Sequence, residues 1–137
     1  MGRVRRVDAI DDPDLAPYVG MYGADERTDD LCIIESRLAV ESLLDSPFEP
    51  VSLLLAERHA ARYAEMIDAF PADVMVAPQD VIDATVGFHM HRGVAACARR
   101  GAPRSLSDVT AGARRVLVCE AVTDPENLGA LFRNAAA

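Results

Sequence analysis

Four short apolar runs, Leu31–Ile34, Val51–Leu55, Val74–Ala77 and Gly93–Ala98, punctuate this chain, and helical patterns fill the spaces between them. Each run is too short for a helix and rich in β-branched or long aliphatic side chains, so each reads as a strand. Between them, Ser36–Leu44 places Val40, Leu43 and Leu44 on one helical face, and Glu57–Phe70 places Ala60, Tyr63, Ala64 and Ile67 at i, i+3, i+4, i+7. Pro78–Val86 reads as a third helix, with Pro78 near its start and Gly87 at its end. Strands that are apolar throughout and separated by helices predict a mostly parallel sheet covered on both faces. The expected fold is α/β: a small α/β/α sandwich over residues 28–98, with the acidic, turn-rich residues 8–30 forming a short helix and loop on its outside.

Half of the 137 residues are apolar, enough for a real core, and the sequence has no run of eighteen apolar residues to span a membrane. The N-terminus, MGRVRRVDAIDDPD, turns acidic after three Arg and carries no apolar segment of a secretory signal. Cys32, Cys97 and Cys119 are an odd set, far apart, each within an apolar stretch. They read as buried free thiols, which predicts a reducing, cytoplasmic location.

The net charge of −8 argues against nucleic acid until its distribution is considered. Residues 1–91 hold 7 Arg against 18 Asp and Glu, whereas residues 92–115 hold Arg92, Arg99, Arg100, Arg104, Arg114 and Arg115 against Asp108 alone. Every basic side chain is Arg, and Arg presents a planar fork suited to phosphate. Two readings stand: a compositional bias, or a basic strip facing phosphate. Just ahead of the strip, His89-Met-His91-Arg92 places both imidazoles on one side of an extended backbone. With no third or fourth ligand nearby the pair predicts no metal; His89, His91, Arg92, Arg99, Arg100 and Arg104 are candidate phosphate contacts.

Residues 99–113 have two Gly, a Pro and no apolar periodicity, and read as a linker. Beyond it, Val116–Cys119 reads as a strand, Asp124-Pro125 as a turn, and Asn127 as the cap of a helix starting at Leu128. Gly129 removes a side chain in the first turn, and Arg133 projects from the second. A strand, a turn and a helix N-terminus suit an anionic or polar ligand, although an ordinary capped helix with a surface Arg has the same spacing. A helix that stops at Ala137 so soon after it begins leads to the expectation that residues 1–98 are one complete domain and residues 114–137 the opening of a second.

The segment VLVCEAVTDPENLGALFRNAAA resembles the first signature of the SpoU (TrmH-like) RNA ribose 2′-O-methyltransferases of the knotted SPOUT class, with Asp124, Pro125, Asn127, Gly129 and Arg133 in register. Asn134 stands where Thr or Ser is usual. Gly87-Phe-His-Met-His-Arg-Gly-Val94, with Ile10-Asp-Asp-Pro13, resembles the N-terminal substrate-binding domain of the same family, which is related to a small ribosomal protein that recognises bent RNA. The family's first strand commonly ends in Glu-Gly, here Glu35-Ser36, followed by Arg37. Ser36 can cap the next helix, and Glu35 is read as structural.

The resemblance implies that residues 1–98 recognise RNA, rRNA ahead of tRNA. It implies that Asn127 and Arg133 stand beside the target ribose and that S-adenosylmethionine donates the methyl group. A guanidinium keeps its proton, so orienting the ribose or its phosphate suits Arg133 better than acting as a base. The family builds its cofactor pocket, and its homodimer, from later signatures. This chain alone is therefore expected to be inactive, to lack the cofactor pocket and not to form that dimer. Val116–Cys119 is expected to be disordered or to pair with the edge of the small domain or with a second copy. Two other readings remain: a free-standing RNA-binding module, and a protein-interaction domain using the acidic surface.

Overall fold

A computed structural model describes residues 2–21 and 30–137. The chain divides into two compact units, residues 1–102 and 103–137, each described by itself.

The first unit is built on a five-stranded sheet: β1 (Val4–Arg6), β2 (Leu31–Glu35), β3 (Pro50–Ala56), β4 (Asp73–Ala77) and β5 (Val94–Arg99), in the order β1-β4-β3-β5-β2. All four apolar runs are strands, and β1 adds an edge that the sequence did not single out. The alternation of side chains along β3 sends Leu53 and Leu55 to one face and Leu54 and Ala56 to the other. Leu54 and Ala56 pack with Met75, Ala95 and Cys97 under Leu15, Tyr18 and Ile82. Leu53 and Leu55 pack with Val74, Val94 and Ala96 under Val40, Leu43, Tyr63, Met66 and Phe70. Both faces are thus covered, the first by α3 (Gln79–Val86) and a 3₁₀ helix at Pro13–Tyr18, the second by α1 (Arg37–Leu44) and α2 (Ala64–Ala69). Of the acidic segment expected as an outer helix and loop, Pro13–Tyr18 is that helix, while residues 22–29 lie outside the described residues.

The sheet is mixed rather than mostly parallel. β4 pairs parallel with β1 and β3, but β5 runs antiparallel to both β3 and β2. The cause lies after α3. Gly87 ends that helix at φ 84, a left-handed conformation that reverses the chain. Residues 88–92 then retrace the helix instead of crossing the sheet: Met90 N donates to Asp83 Oδ1 at 3.0 Å, and Gln79 Nε2 donates to Met90 O at 3.3 Å. The chain re-enters beside the end of β3, where Ala56 N donates to Gly93 O at 2.8 Å, and β5 must run back. The helix expected over Glu57–Phe70 is divided, with a 3₁₀ stretch at Glu57–Tyr63 leading into α2. The tighter turn shifts the buried stripe to Tyr63, Met66 and Phe70, leaving Ala64 exposed.

In the second unit, α4 (Leu106–Thr110) is closed by a capping box between Ser105 and Asp108. Val116–Cys119 has no regular secondary structure and belongs to none of the sheet's strands, so the strand expected there is absent. Val116, Leu117 and Val118 are exposed, and an apolar run without a neighbouring strand has nothing to pair its backbone. Cys119 is exposed for the same reason, against the expected burial; Cys97 is buried and Cys32 half-buried. Burial pushes the Cys97 thiol up to about 11. No helix among the described residues is long and apolar enough to cross a membrane.

One buried polar pair fastens the outer 3₁₀ helix to the sheet. Tyr18 OH and Ser52 Oγ lie 2.8 Å apart, and burial raises the phenol far above its ordinary range. Tyr18→Phe leaves the Ser52 hydroxyl buried without its partner, so it should cost about 1–2 kcal/mol in urea unfolding. Adding Ser52→Ala should recover part of that loss; equal stability of wild type and Tyr18→Phe would show that the pair contributes nothing.

Candidate nucleic-acid interface

β2, β3 and β4 end, and β5 begins, at the same end of the sheet, because Glu35 lies opposite Ala95 and Ala56 opposite Ala77. The loops leaving these strands meet there around a cleft of about 400 Å³ lined by Ser36, Arg37, Leu38, His59, Arg62, Tyr63, His91 and Arg92. Three separate segments supply its walls: the start of α1, the 3₁₀ helix after β3, and the loop before β5.

The floor is shaped by backbone. Gly93 has φ 60, and a Cβ there would lie 2.5 Å from His59 Cδ2 and 2.9 Å from Ala56 Cβ, so only glycine lets the imidazole seat itself on the loop. Tyr63 is buried beneath, its hydroxyl donating to Arg92 O at 3.4 Å, with the Arg62 guanidinium 5.8 Å from its ring centre. Ser36 caps α1, accepting from Ala39 N at 3.4 Å, but does so at φ 97, ψ 151. That conformation is costly for any residue with a side chain.

The charges around the cleft are distinctive. Arg5, Arg6, Arg37 and Arg99 each pair with carboxylates, Arg6 with Asp8 and Glu57 and Arg37 with Glu41. Arg58, Arg62 and Arg92 have no carboxylate within ion-pair distance among the described residues. Of these, only Arg92 was singled out in the sequence. Arg58 and Arg62 were read as the polar side of a core helix. Two like charges at i, i+4 flanking an imidazole, within an acidic half of the chain, were the available signal.

The other expected contacts are dispersed. His89 turns from the cleft and bonds Asp83 Oδ2 through Nδ1 at 2.5 Å, its ring edge-on to His91 with 4.4 Å between ring centres. Burial works against ionised Asp83, but bonds from His89, Met90 N and Gln79 outweigh it and hold the carboxyl below its ordinary value. Arg99 ends β5, five residue steps or roughly 17 Å from Val94, and Arg100 follows it. Arg99 there faces Asp30 and Glu49. Arg104, in the second unit, donates to Asp108 O at 3.4 Å. Within the first unit, His91 and Arg92 are therefore separated from Arg99 and Arg100 by the length of β5. Among the described residues no cluster of three His, Cys, Asp or Glu side chains is placed to hold a metal.

In the second unit, α5 (Pro125–Ala136) begins earlier than the sequence suggested, and its cap is Asp124. The carboxylate accepts from Glu126 N at 2.7 Å and Asn127 N at 3.4 Å, leaving Asn127 inside the first turn and Arg133 in the third. Asn127 lines an open groove with Ala130, Leu131, Asn134 and residues 121–124. Arg133, six residues on and so about 120° around the helix, instead lies against Gly129. None of the groove's residues is buried, and Asp124 is committed to its own helix, so these groups do not by themselves fit S-adenosylmethionine.

The sequence matches no protein-family model. It is 40% identical over 131 residues, 92% of this chain, to proteins named "Uncharacterized tRNA/rRNA methyltransferase" from Mycobacterium bovis and Mycobacterium tuberculosis. The match covers 46% of each, so the chain spans about half the length of the curated relatives it matches.

Two substitutions test this geometry. Ser36→Gly should stabilise the fold by about 1 kcal/mol, because relief of the left-handed backbone exceeds the few tenths lost from the cap; a lower unfolding midpoint would contradict this. Asp83 titrates lower in the folded than in the unfolded chain, so the stability it lends is complete above the ordinary carboxylate range and drains away as pH falls through its folded value. Asp83→Asn should therefore melt below wild type at about pH 7 and converge with it as pH falls through the lowered value of the folded carboxyl.

Proposed function

We propose that this chain serves RNA methylation, and that residues 1–98 are the part that recognises RNA. The observation that carries the reading is the cleft: in a chain of net charge −8, Arg62 and Arg92 line it and Arg58 donates to the carbonyl of its His91, none of the three with a carboxylate partner among the described residues. Uncompensated guanidinium forks suit phosphodiesters. The relatives' shared name supports RNA as the polymer and methyl transfer as the reaction.

At finer grain the reading is ribose 2′-O-methylation of the SpoU/TrmH-like kind, on rRNA ahead of tRNA, with S-adenosylmethionine supplying the methyl group. His91 and Arg92 contact the RNA backbone from within the cleft. Arg100 and Arg104 are outlying contacts, and Arg99 joins them by exchanging its ion pairs with Asp30 and Glu49 for phosphate. His89 acts at second hand, steadying the loop that carries His91. Asn127 and Arg133 orient different parts of the target nucleotide, since they project about 120° apart from α5. On this reading the cofactor pocket and the homodimer interface belong to the half of the relatives that this chain does not span, and these 137 residues bind RNA without transferring methyl groups.

Anisotropy with a labelled rRNA fragment at low salt checks the recognition step. Arg62→Ala and Arg92→Ala should each weaken binding roughly tenfold and each reduce the slope of log affinity against log salt by about 0.7–0.9. Unchanged affinity and slope would overturn the cleft assignment. Methyl transfer from labelled S-adenosylmethionine to total rRNA should require a polypeptide of the relatives' full length and fall sharply in its Arg133→Ala form. RNA binding without transfer by that polypeptide would favour a binding module instead.

A further inference from the structure

We propose that His59 is a positioning residue that makes the cleft's hold on RNA phosphate respond to pH: while neutral it keeps Arg58 folded against the protein, and on protonation it releases Arg58 to the ligand. The choice of ligand rests on the RNA reading above; the switch rests on geometry alone.

Arg58 Nε donates to His59 Nε2 at 3.1 Å, and Arg58 Nη2 donates to His91 O at 3.4 Å. A guanidinium has donors only, so His59 Nε2 must present a lone pair, and the imidazole carries its proton on Nδ1. The ring cannot drift from this position easily. It is seated on Gly93, where even a Cβ would come within 2.5 Å, and its edge meets the Tyr63 ring with 6.2 Å between centres. The groups facing it are Arg58, Arg62 and Tyr63 from its own helix, Arg37 from α1 (already paired with Glu41), and His91 and Arg92 from the loop. Among the described residues no carboxylate lines the cleft to compensate an added positive charge.

Protonation at Nε2 places an N–H where the Arg58 N–H already points. The acceptor is lost and two like charges face each other, so the bond must open. Arg58 then keeps only its long contact to the His91 carbonyl. Being exposed, it turns toward solvent beside Arg62 and Arg92, adding a third fork for a phosphate.

The test is the affinity of the chain for a labelled oligouridylate, whose bases do not titrate in this range, at about pH 8 and about pH 5.5 at fixed ionic strength. Wild type should bind roughly tenfold more tightly at the lower pH, the scale of one added charge-assisted contact. His59→Gln offers an amide oxygen to Arg58 at every pH and should abolish most of that gain, as should Arg58→Ala. A gain of the same size in His59→Gln, or wild-type binding that shows no gain, would overturn the proposal. NMR reads the switch without RNA: the Arg58 Nε signal should shift in step with His59 protonation. If the oligouridylate binds at neither pH while this shift is seen, the RNA reading fails and the switch stands; an Arg58 signal indifferent to pH overturns the switch itself.

Discussion

Asp83 sits where α3 meets the chain that doubles back along it, and its carboxylate accepts from Met90 N, Gln79 Nε2 and the His89 ring. Those bonds fix the return of residues 88–92 to the helix's starting end. From that return follow the antiparallel entry of β5, the burial of Val94–Ala98 between β3 and β2, and the placement of His91, Arg92 and Gly93 against the 3₁₀ helix. A partly buried carboxylate answered by three donors is well able to hold such a loop, since leaving those donors unanswered would be costly. The cleft is in this sense a product of the loop, and the loop a product of one side chain.

The strands were legible because their apolar runs have only one good use, a layer covered on both sides. Direction was not legible in the same way. An eight-residue helix followed by Gly87 suits a crossover and a reversal equally, and the choice depends on Asp83 reaching residues six and seven positions ahead. Capping was misjudged at α5 because Asp124 and Asn127 are both good caps. The helix starts at Pro125, where a missing N–H does no harm, and so Asp124 takes the role. Val116–Cys119 has a strand's composition, but composition creates no neighbour to pair with.

The cleft was legible in part. His91 stood out beside His89 at i, i+2, and Arg92 as the first of the Arg-rich stretch. Arg58, His59 and Arg62 were hidden because the helical period of Tyr63 and Ile67 explained their segment as a covering helix. Their place at the cleft depends on which strand end they adjoin, a long-range fact that no local pattern encodes. Ser36 is similar: a residue chosen for a cap in sequence terms turns out to occupy a backbone region better suited to glycine.

The cleft draws its walls from residues 36–38, 59–63 and 91–92, segments that meet only when β2, β3 and β5 are paired. An unfolded chain has no such site to offer, so any anion that occupies it binds the native state alone. By mass action, occupancy then becomes conformational stability: such an anion at a hundred times its dissociation constant would deepen the native well by about 2.7 kcal/mol. For a small domain that is a substantial share of the total, and it would couple the persistence of this fold to the presence of whatever occupies the cleft.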